Sequence, residues 1–165
     1  ESRSYEEWLS EASFDPEQLT ALAYRMLGFP YLWGGTSSKG MDCSGFTKTV
    51  YFMNGYVLPR DASQQVNIGT LVDDEKAFEV LKKGDLLFFG RAATDSTDEK
   101  VVHVGMWIGD MKFIHASGDI HVSSMDPNSD IFDEYNLNRY LRTKRLAGSA
   151  DEDKLLLKTH GFTTW

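Results

Sequence analysis

The spacing of apolar residues predicts two short helices at the start of the chain, over residues 4–11 and 15–27. Asp15-Pro16-Glu17 is typical of a helix start, because it joins a capping acid, a proline at the first helical position and an acid in the first turn. Gly28-Phe29-Pro30 ends the second helix, and the glycine-rich residues 31–42 are predicted to form a loop.

A third helix is predicted over residues 43–54, where Phe46, Val50 and Met53 recur at helical spacing. Cys43 stands one turn earlier on the same side, so the pattern puts it in the first turn of this helix. The only cysteine of the chain is therefore expected where unpaired backbone N–H groups carry partial positive charge.

The second half of the chain has the pattern of successive strands. It follows a short predicted helix over 62–69 and is interrupted by a polar, exposed loop over 91–100. The predicted strands cover residues 84–89, 101–108, 112–117, 120–124 and 140–146. Helices followed by a meander of strands predict an α+β fold with an antiparallel sheet.

Two histidines, His103 and His115, fall on neighbouring predicted strands joined by residues 109–111. They point to the same face only if the loop has an odd number of residues or if a bulge interrupts the pairing. A three-residue loop would pair 108 with 112, 107 with 113 and 105 with 115. We expect Gly109 or Asp110, rather than the following methionine, to take a positive φ in this turn.

Composition indicates a globular protein. The chain has 165 residues, of which 41% are hydrophobic and 13% aromatic, enough for one soluble domain with its own core. No apolar run approaches the ~20 residues of a membrane helix. A net charge of −8 disfavours nucleic acid as a partner, because sequence-independent binding depends on Lys and Arg neutralising phosphates.

Cys43, His103 and His115 can together build a thiol catalyst. The thiolate is the nucleophile, and a helix N-terminus or a nearby imidazole can lower the thiol pKa. The alternatives are a buried, unreactive cysteine with hydrogen-bonded histidines, or a zinc site, for which no fourth close-spaced ligand is evident. His121 and His160 are interpreted as surface or structural residues.

Four segments carry a more specific pattern. YLWGG (31–35) has an aromatic-Trp-Gly-Gly order, DCSGF (42–46) surrounds the cysteine, and LPRDASQQ (58–65) follows the predicted third helix. GDLLFF, HVGMWIG and FIHAS are the predicted central strands, and the last two carry the histidines. From about residue 20 to residue 146, the chain resembles the NlpC-type family of bacterial peptidoglycan cysteine peptidases.

The resemblance implies a minimal papain-like fold and a cysteine peptidase that needs no metal or organic cofactor. Cys43 would be the nucleophile at a helix N-terminus, and His103 the general base and then the general acid. His115 would orient and polarise the His103 ring, as the third member of a triad does. Tyr31 would give its phenol to the oxyanion hole, together with the backbone N–H of Cys43.

The resemblance also implies a substrate, the amide between the γ-carboxyl of D-glutamate and an L-diamino acid in peptidoglycan stem peptides or muropeptides. Asp42 and Ser44 would bind the amino end and the D-glutamate of this substrate, with Ser63 as a further candidate. Arg60 is the candidate cation for the D-glutamate carboxylate, or it anchors its own loop. Asp42 has an alternative role as the cap of the third helix.

Two other functions would use the same residues: an amidase or acyltransferase, and a wall-binding module without turnover. We expect residues 1–20 to be a helical segment or linker, 21–147 the catalytic domain and 148–165 a tail. Many relatives carry wall-binding modules upstream of this domain. The family implies a cell-envelope location, periplasmic or secreted, with cytoplasmic recycling of fragments as the alternative.

Overall fold

The fold combines short helices with one large sheet, and the computed structural model describes it for residues 4–159. The helices are α1 Tyr5–Glu11, α2 Pro16–Arg25, α3 Cys43–Phe52, α4 Ala62–Gln65, α5 Glu134–Asn138 and α6 Glu152–Leu155, with a 3-10 turn at Phe78–Val80. The strands are β1 Thr36–Ser37, β2 Gly40–Met41, β3 Thr70–Asp73, β4 Leu86–Arg91, β5 Lys100–Gly109, β6 Lys112–Ser117, β7 Asp119–Ser124 and β8 Tyr140–Arg145.

Six strands form an antiparallel sheet in the order β3-β8-β4-β5-β6-β7, which confirms the predicted α+β class. The prediction of a plain loop over residues 31–42 was wrong. This segment contains the hairpin β1–β2, in which Thr36 pairs with Met41 and Ser37 with Gly40. Strands of two residues are too short to leave a periodic pattern, so the glycines dominated the sequence signal.

The core occupies both faces of the sheet. The helix-side cluster joins α2 and α3 to β4–β6 through Leu19, Ala23, Phe46, Val50, Leu86, Phe88, Val104, Met106 and Ile114. The opposite cluster contains Phe78, Leu87, Phe89, Trp107, Phe113 and Tyr140. Helix α2 runs across residue 20, where the sequence suggested a boundary, and both of its halves pack in the same core.

The register of the β5–β6 hairpin keeps its two histidines on one face. Trp107 pairs with Phe113 as predicted, but Gly109, not residue 108, pairs with Lys112. The predicted three-residue loop was therefore wrong, because the turn has two residues and a bulge lies between positions 107 and 109. The bulge supplies the extra residue that keeps both histidines on one face. A bulge was the alternative that the prediction gave to an odd loop length.

The turn itself has a positive φ at three successive residues, Gly109 (96°), Asp110 (51°) and Met111 (57°). The expectation that the methionine would avoid this region was wrong. A two-residue hairpin turn that matches the strand twist needs positive φ at both central positions. The Met111 carbonyl is held in place because it accepts hydrogen bonds from the Met125 N–H (2.7 Å) and the Ser124 hydroxyl (3.1 Å).

The segment that follows β8 packs against the domain over residues 149–157. Leu156 and Leu157 are buried, and the Val57 N–H donates to the Leu155 carbonyl at 2.7 Å. This part of the expected C-terminal tail therefore contributes to the core next to α3, and the residues after 159 lie outside the described part.

Candidate active site

Cys43 is the first residue of α3 and is 7% exposed. Burial raises the pKa of its thiol, the nearby Asp42 charge adds to this, and the backbone N–H of Val104 on β5 opposes it. The helix N-terminus was predicted to lower this pKa, but burial outweighs its effect. The resting residue is therefore a neutral thiol that faces the backbone of β5.

His103 directly precedes Val104 along β5, and the structure brings it together with His115 of β6. His103 Nε2 lies 2.7 Å from His115 Nδ1, and both rings are buried. Burial lowers the pKa of His103 to about 3 and that of His115 to about 2, and the charge of the nearby Arg139 acts in the same direction. The pair is therefore neutral, with one hydrogen shared between facing nitrogens.

The other nitrogen of His115 contacts residues for which sequence reasoning gave no role. His115 Nε2 lies 3.1 Å from His121 Nε2 and 3.1 Å from Ser123 Oγ, both on β7. His121 is half exposed, as a surface residue would be, and its Nδ1 lies 2.8 Å from Asp119 Oδ1. In the β6–β7 ladder Ser117 pairs with Asp119 around Gly118, which puts His115 opposite His121. A two-residue turn between the predicted strands 112–117 and 120–124 would instead have paired His115 with Val122. His160 lies outside the described residues.

Asp42, Ser44 and Arg60 form one polar cluster beside Cys43. The Asp42 carboxylate caps α3 by accepting from the Gly45 N–H at 2.7 Å. The Arg60 guanidinium donates to both oxygens of Asp42 (3.0 and 2.6 Å) and to Ser44 Oγ (3.1 Å). Burial opposes ionisation of Asp42, but these hydrogen bonds hold its pKa below the usual range. Of the two roles considered for Arg60, anchoring its own loop is the one for which the structure already shows a contact.

A cleft of about 300 Å³ runs past this cluster and Cys43. Its lining residues are Tyr31, Trp33, Gly34, Asp42, Cys43, Ser44, Arg60, Asp61, Ala62, Ser63, Val101 and Val102. The Tyr31 hydroxyl makes no hydrogen bond within residues 4–159, and partial burial, followed by the nearby Cys43 and Asp42, raises its pKa. It is therefore a protonated donor that is free for a ligand. Ser63 is exposed at the cleft wall.

Across the described residues, the structure has no cluster of His, Cys, Asp and Glu side chains suited to holding a metal ion. Between residues 4 and 159 no helix is both long and apolar enough to span a membrane.

The comparison with known families covers the part of the fold that holds the cleft. The model of the NlpC/P60 family matches residues 28–142, which include the cleft and all three residues of the predicted triad. The chain belongs to the NlpC/P60 family. Its domain is similar to an NlpC/P60 family protein from Bacillus cereus, with a TM-score of 0.65 and 36% identity over 81% of this chain and 41% of that one.

Two further relatives have names that state an enzyme activity. The NlpC/P60 domain of the peptidoglycan hydrolase SagA matches with a TM-score of 0.61 and 28% identity, over 80% of this chain and 99% of that domain. The predicted papain-like fold of the family is thereby confirmed. A γ-D-glutamyl-L-lysine dipeptidyl-peptidase from Bacillus cereus is 49% identical over 90 residues, or 54% of this chain and 25% of that protein. The chain spans about a quarter of the length of such Bacillus relatives.

Proposed function

We propose that this chain is a cysteine endopeptidase that hydrolyses the γ-D-glutamyl-L-diamino acid amide in peptidoglycan stem peptides or muropeptides. The observation that carries the proposal is the 2.7 Å contact between His103 Nε2 and His115 Nδ1. His103 lies on β5, the strand whose backbone faces the Cys43 thiol. The Bacillus cereus relative, named for cleavage at γ-D-glutamyl-L-lysine, supports the choice of bond. The proposed location is the cell envelope.

The acylation step starts from a neutral thiol and a neutral imidazole. As Cys43 Sγ attacks the γ-carbonyl of D-glutamate, its proton passes to His103, which is the general base. The carbonyl oxygen becomes an oxyanion that the Cys43 N–H and the Tyr31 hydroxyl stabilise. When the C–N bond breaks, the His103 imidazolium gives the proton to the leaving amine, and a thioester on Cys43 remains.

Hydrolysis of the thioester returns the enzyme to its starting state. A water molecule gives a proton to His103 as its oxygen attacks the thioester carbonyl. The C–S bond then breaks, Cys43 recovers the proton from His103, and the γ-carboxyl group leaves as the acid and ionises in solvent. Each proton that His103 accepts is returned within the same half-reaction, so the cycle needs no cofactor.

The proposed binding of the substrate's amino end involves an exchange at Asp42. Its two oxygens accept from Gly45, from Gly34 (2.8 Å), from the Ser44 hydroxyl (3.3 Å) and twice from Arg60, which fills the roughly four acceptor sites of a carboxylate. An incoming ammonium therefore replaces one of these donors. Arg60 is the one that can move, because it is a long side chain with about a third of its surface exposed. Once displaced, its guanidinium is available to the D-glutamate carboxylate, beside Ser44 and Ser63.

The direct test is to incubate the full chain with L-Ala-γ-D-Glu-meso-diaminopimelate and follow the products by mass spectrometry. We expect L-Ala-γ-D-Glu and free diaminopimelate, with no turnover by Cys43→Ala. The L-lysine tripeptide in a parallel reaction identifies the preferred diamino acid. If the tripeptide stays intact while another amide or ester is turned over, the proposal is wrong and the chain is an amidase or acyltransferase.

The binding-module alternative predicts a different pair of results. Such a protein would sediment with purified peptidoglycan but release no fragments from it. Wild type and Cys43→Ala would then behave identically in both assays.

A further inference from the structure

The contact between the two buried imidazoles is extended by a second pair at the sheet edge. His115 and His121 stand directly opposite each other in the β6–β7 ladder, and their Nε2 atoms are 3.1 Å apart. The remaining nitrogen of His121, Nδ1, lies 2.8 Å from Asp119 Oδ1 and 3.2 Å from the Asp119 carbonyl oxygen. The nitrogens of three rings thus connect Asp119 to His103 through short contacts.

The direction of the hydrogens follows from the Asp119 end. A carboxylate and a backbone carbonyl are acceptors only, so His121 Nδ1 must carry the hydrogen. Neutral His121 then presents a lone pair at Nε2, towards His115. His115 satisfies it by carrying its own hydrogen on Nε2, which leaves a lone pair on Nδ1. His103 donates from Nε2 to that lone pair, and its Nδ1 is left unprotonated.

An unprotonated His103 Nδ1 is what the proposed mechanism requires, because His103 Nε2 is already committed to His115. In the opposite tautomer, His115 would carry its hydrogen on Nδ1 and force the His103 hydrogen onto Nδ1, where it blocks the base. That arrangement sets the Nε2 lone pairs of His115 and His121 against each other at 3.1 Å. The Ser123 hydroxyl can rotate to donate or accept, so it does not select between the two.

From this geometry we infer that His121, held by Asp119, is a positioning residue that fixes the tautomer of His115 and, through it, that of His103. The inference rests on the proposed function, because a tautomer matters only if His103 is the base. Neither His121 nor Asp119 lines the cleft. Asp119 is itself fixed, since it pairs with Ser117 and bridges to Pro30.

The other charged groups near these rings do not replace His121. Asp133 Oδ2 is 3.9 Å from His115 Nε2, beyond hydrogen-bond range, and its carboxylate already accepts from the Asn136 N–H (2.9 Å) and amide (2.5 Å). Arg139 donates to the Asn136 side chain.

The test separates the tautomer from the activity. In the full chain labelled with ¹⁵N-histidine, long-range ¹H–¹⁵N spectra distinguish protonated Nδ1 from protonated Nε2 in each ring. We expect wild type to have hydrogens on Nε2 of His103 and His115, and His121→Phe to show a mixture of tautomers. His121→Gln, whose amide oxygen can accept from His115, should restore the wild-type spectrum.

Kinetics with the tripeptide give the second readout. His121→Phe should lower kcat roughly tenfold with little change in KM, and His121→Gln should recover most of the loss, as expected for a partner that orients a catalytic group. Wild-type tautomers in a folded His121→Phe protein would overturn the inference. Failure of wild type to cleave the tripeptide would overturn the proposed function instead, and the spectra would still report on the tautomer.

Discussion

Arg60 and Asp42 form a two-pronged ion pair beside Cys43, with Nη1 3.0 Å from Oδ1 and Nη2 2.6 Å from Oδ2. The same carboxylate caps α3 through Gly45 and fixes the entry loop through Gly34. One acid therefore sets the position of the nucleophile helix relative to two loops of the cleft. Its substitution is expected to affect stability as well as substrate binding.

Asp42→Ala is expected to lower the free energy of unfolding by about 2–4 kcal/mol. Loss of a helix cap costs about 1 kcal/mol, and an unpaired, partly buried guanidinium adds to this. Urea unfolding followed by tryptophan fluorescence measures the change. Asp15→Ala is the matched control, because Asp15 caps α2 through Glu17 and Gln18 only, and it should cost less. Equal losses in the two variants would contradict the structural role of the ion pair.

Gly45→Ala should destabilise the protein by a different route. A β-carbon at Gly45 would lie 2.1 Å from the Gly35 carbonyl oxygen, which already accepts from the Asp42 N–H. We expect the free energy of unfolding in urea to fall by at least about 2 kcal/mol, because the backbone at Gly35 or Gly45 must move to make room. Gly148→Ala is the comparison, since it has a φ of +73° and no neighbour within 4 Å, so strain alone costs about 1 kcal/mol. A Gly45→Ala protein as stable as Gly148→Ala would argue against the close approach.

The sequence was informative wherever the pattern extended over a full turn or strand. The helix beginning at Cys43 was predicted from periodicity, whereas parity allowed His103 and His115 to share a face only with an odd loop or a bulge. The exact turn was not predicted, because the period of the strands does not choose between an odd loop and a bulge and does not show a positive φ at Met111. Local preference disfavours a positive φ at Met111, and its carbonyl is held by hydrogen bonds from Ser124 and Met125.

Side-chain partners were predicted least well. Nothing along the chain indicates that Arg60 donates to Asp42, since eighteen residues separate them and either could bind substrate instead. The contact of His121 with His115 required only the register of one more hairpin. Residue types and spacing thus identified the chemistry, while the exact donors and acceptors required the folded arrangement.

Tyr31→Phe tests the proposed oxyanion hole. Removal of one such donor typically lowers kcat by about 10²–10³ with little effect on KM. We expect this result with the tripeptide, because the Tyr31 hydroxyl is unpaired within the described residues and points to no structural role. Tyr24→Phe, on the exposed surface of α2, is the control and should retain wild-type kinetics. A change in KM alone would assign Tyr31 to ground-state binding.

The rate of Cys43 alkylation tests the protonation state of the nucleophile. Burial raises the pKa of the thiol, so iodoacetamide should react faster as the pH rises into the alkaline range. Intact-mass measurement is specific here, because Cys43 is the only cysteine and Cys43→Ser provides the blank. A rate that is already constant at neutral pH would instead indicate a thiolate–imidazolium pair in the free enzyme.

The two buried imidazoles should make stability depend on pH. Burial lowers the pKa of His103 to about 3 and of His115 to about 2, whereas each titrates near 6.5 in an unfolded chain. Below pH 6.5 the unfolded state therefore binds more protons than the folded one, and stability falls as the pH falls towards 3. Above pH 6.5 both states are neutral and this contribution is fully present.

Between pH 7 and pH 5, the free energy of unfolding is expected to fall by roughly 2 kcal/mol for each buried imidazole. Urea unfolding at both pH values measures this change. His115→Asn cannot titrate at this position, so the pH-dependent loss should be about 2 kcal/mol smaller than in wild type, even though the variant is less stable at pH 7. An identical pH dependence in wild type and variant would mean that His115 is not held neutral by the fold.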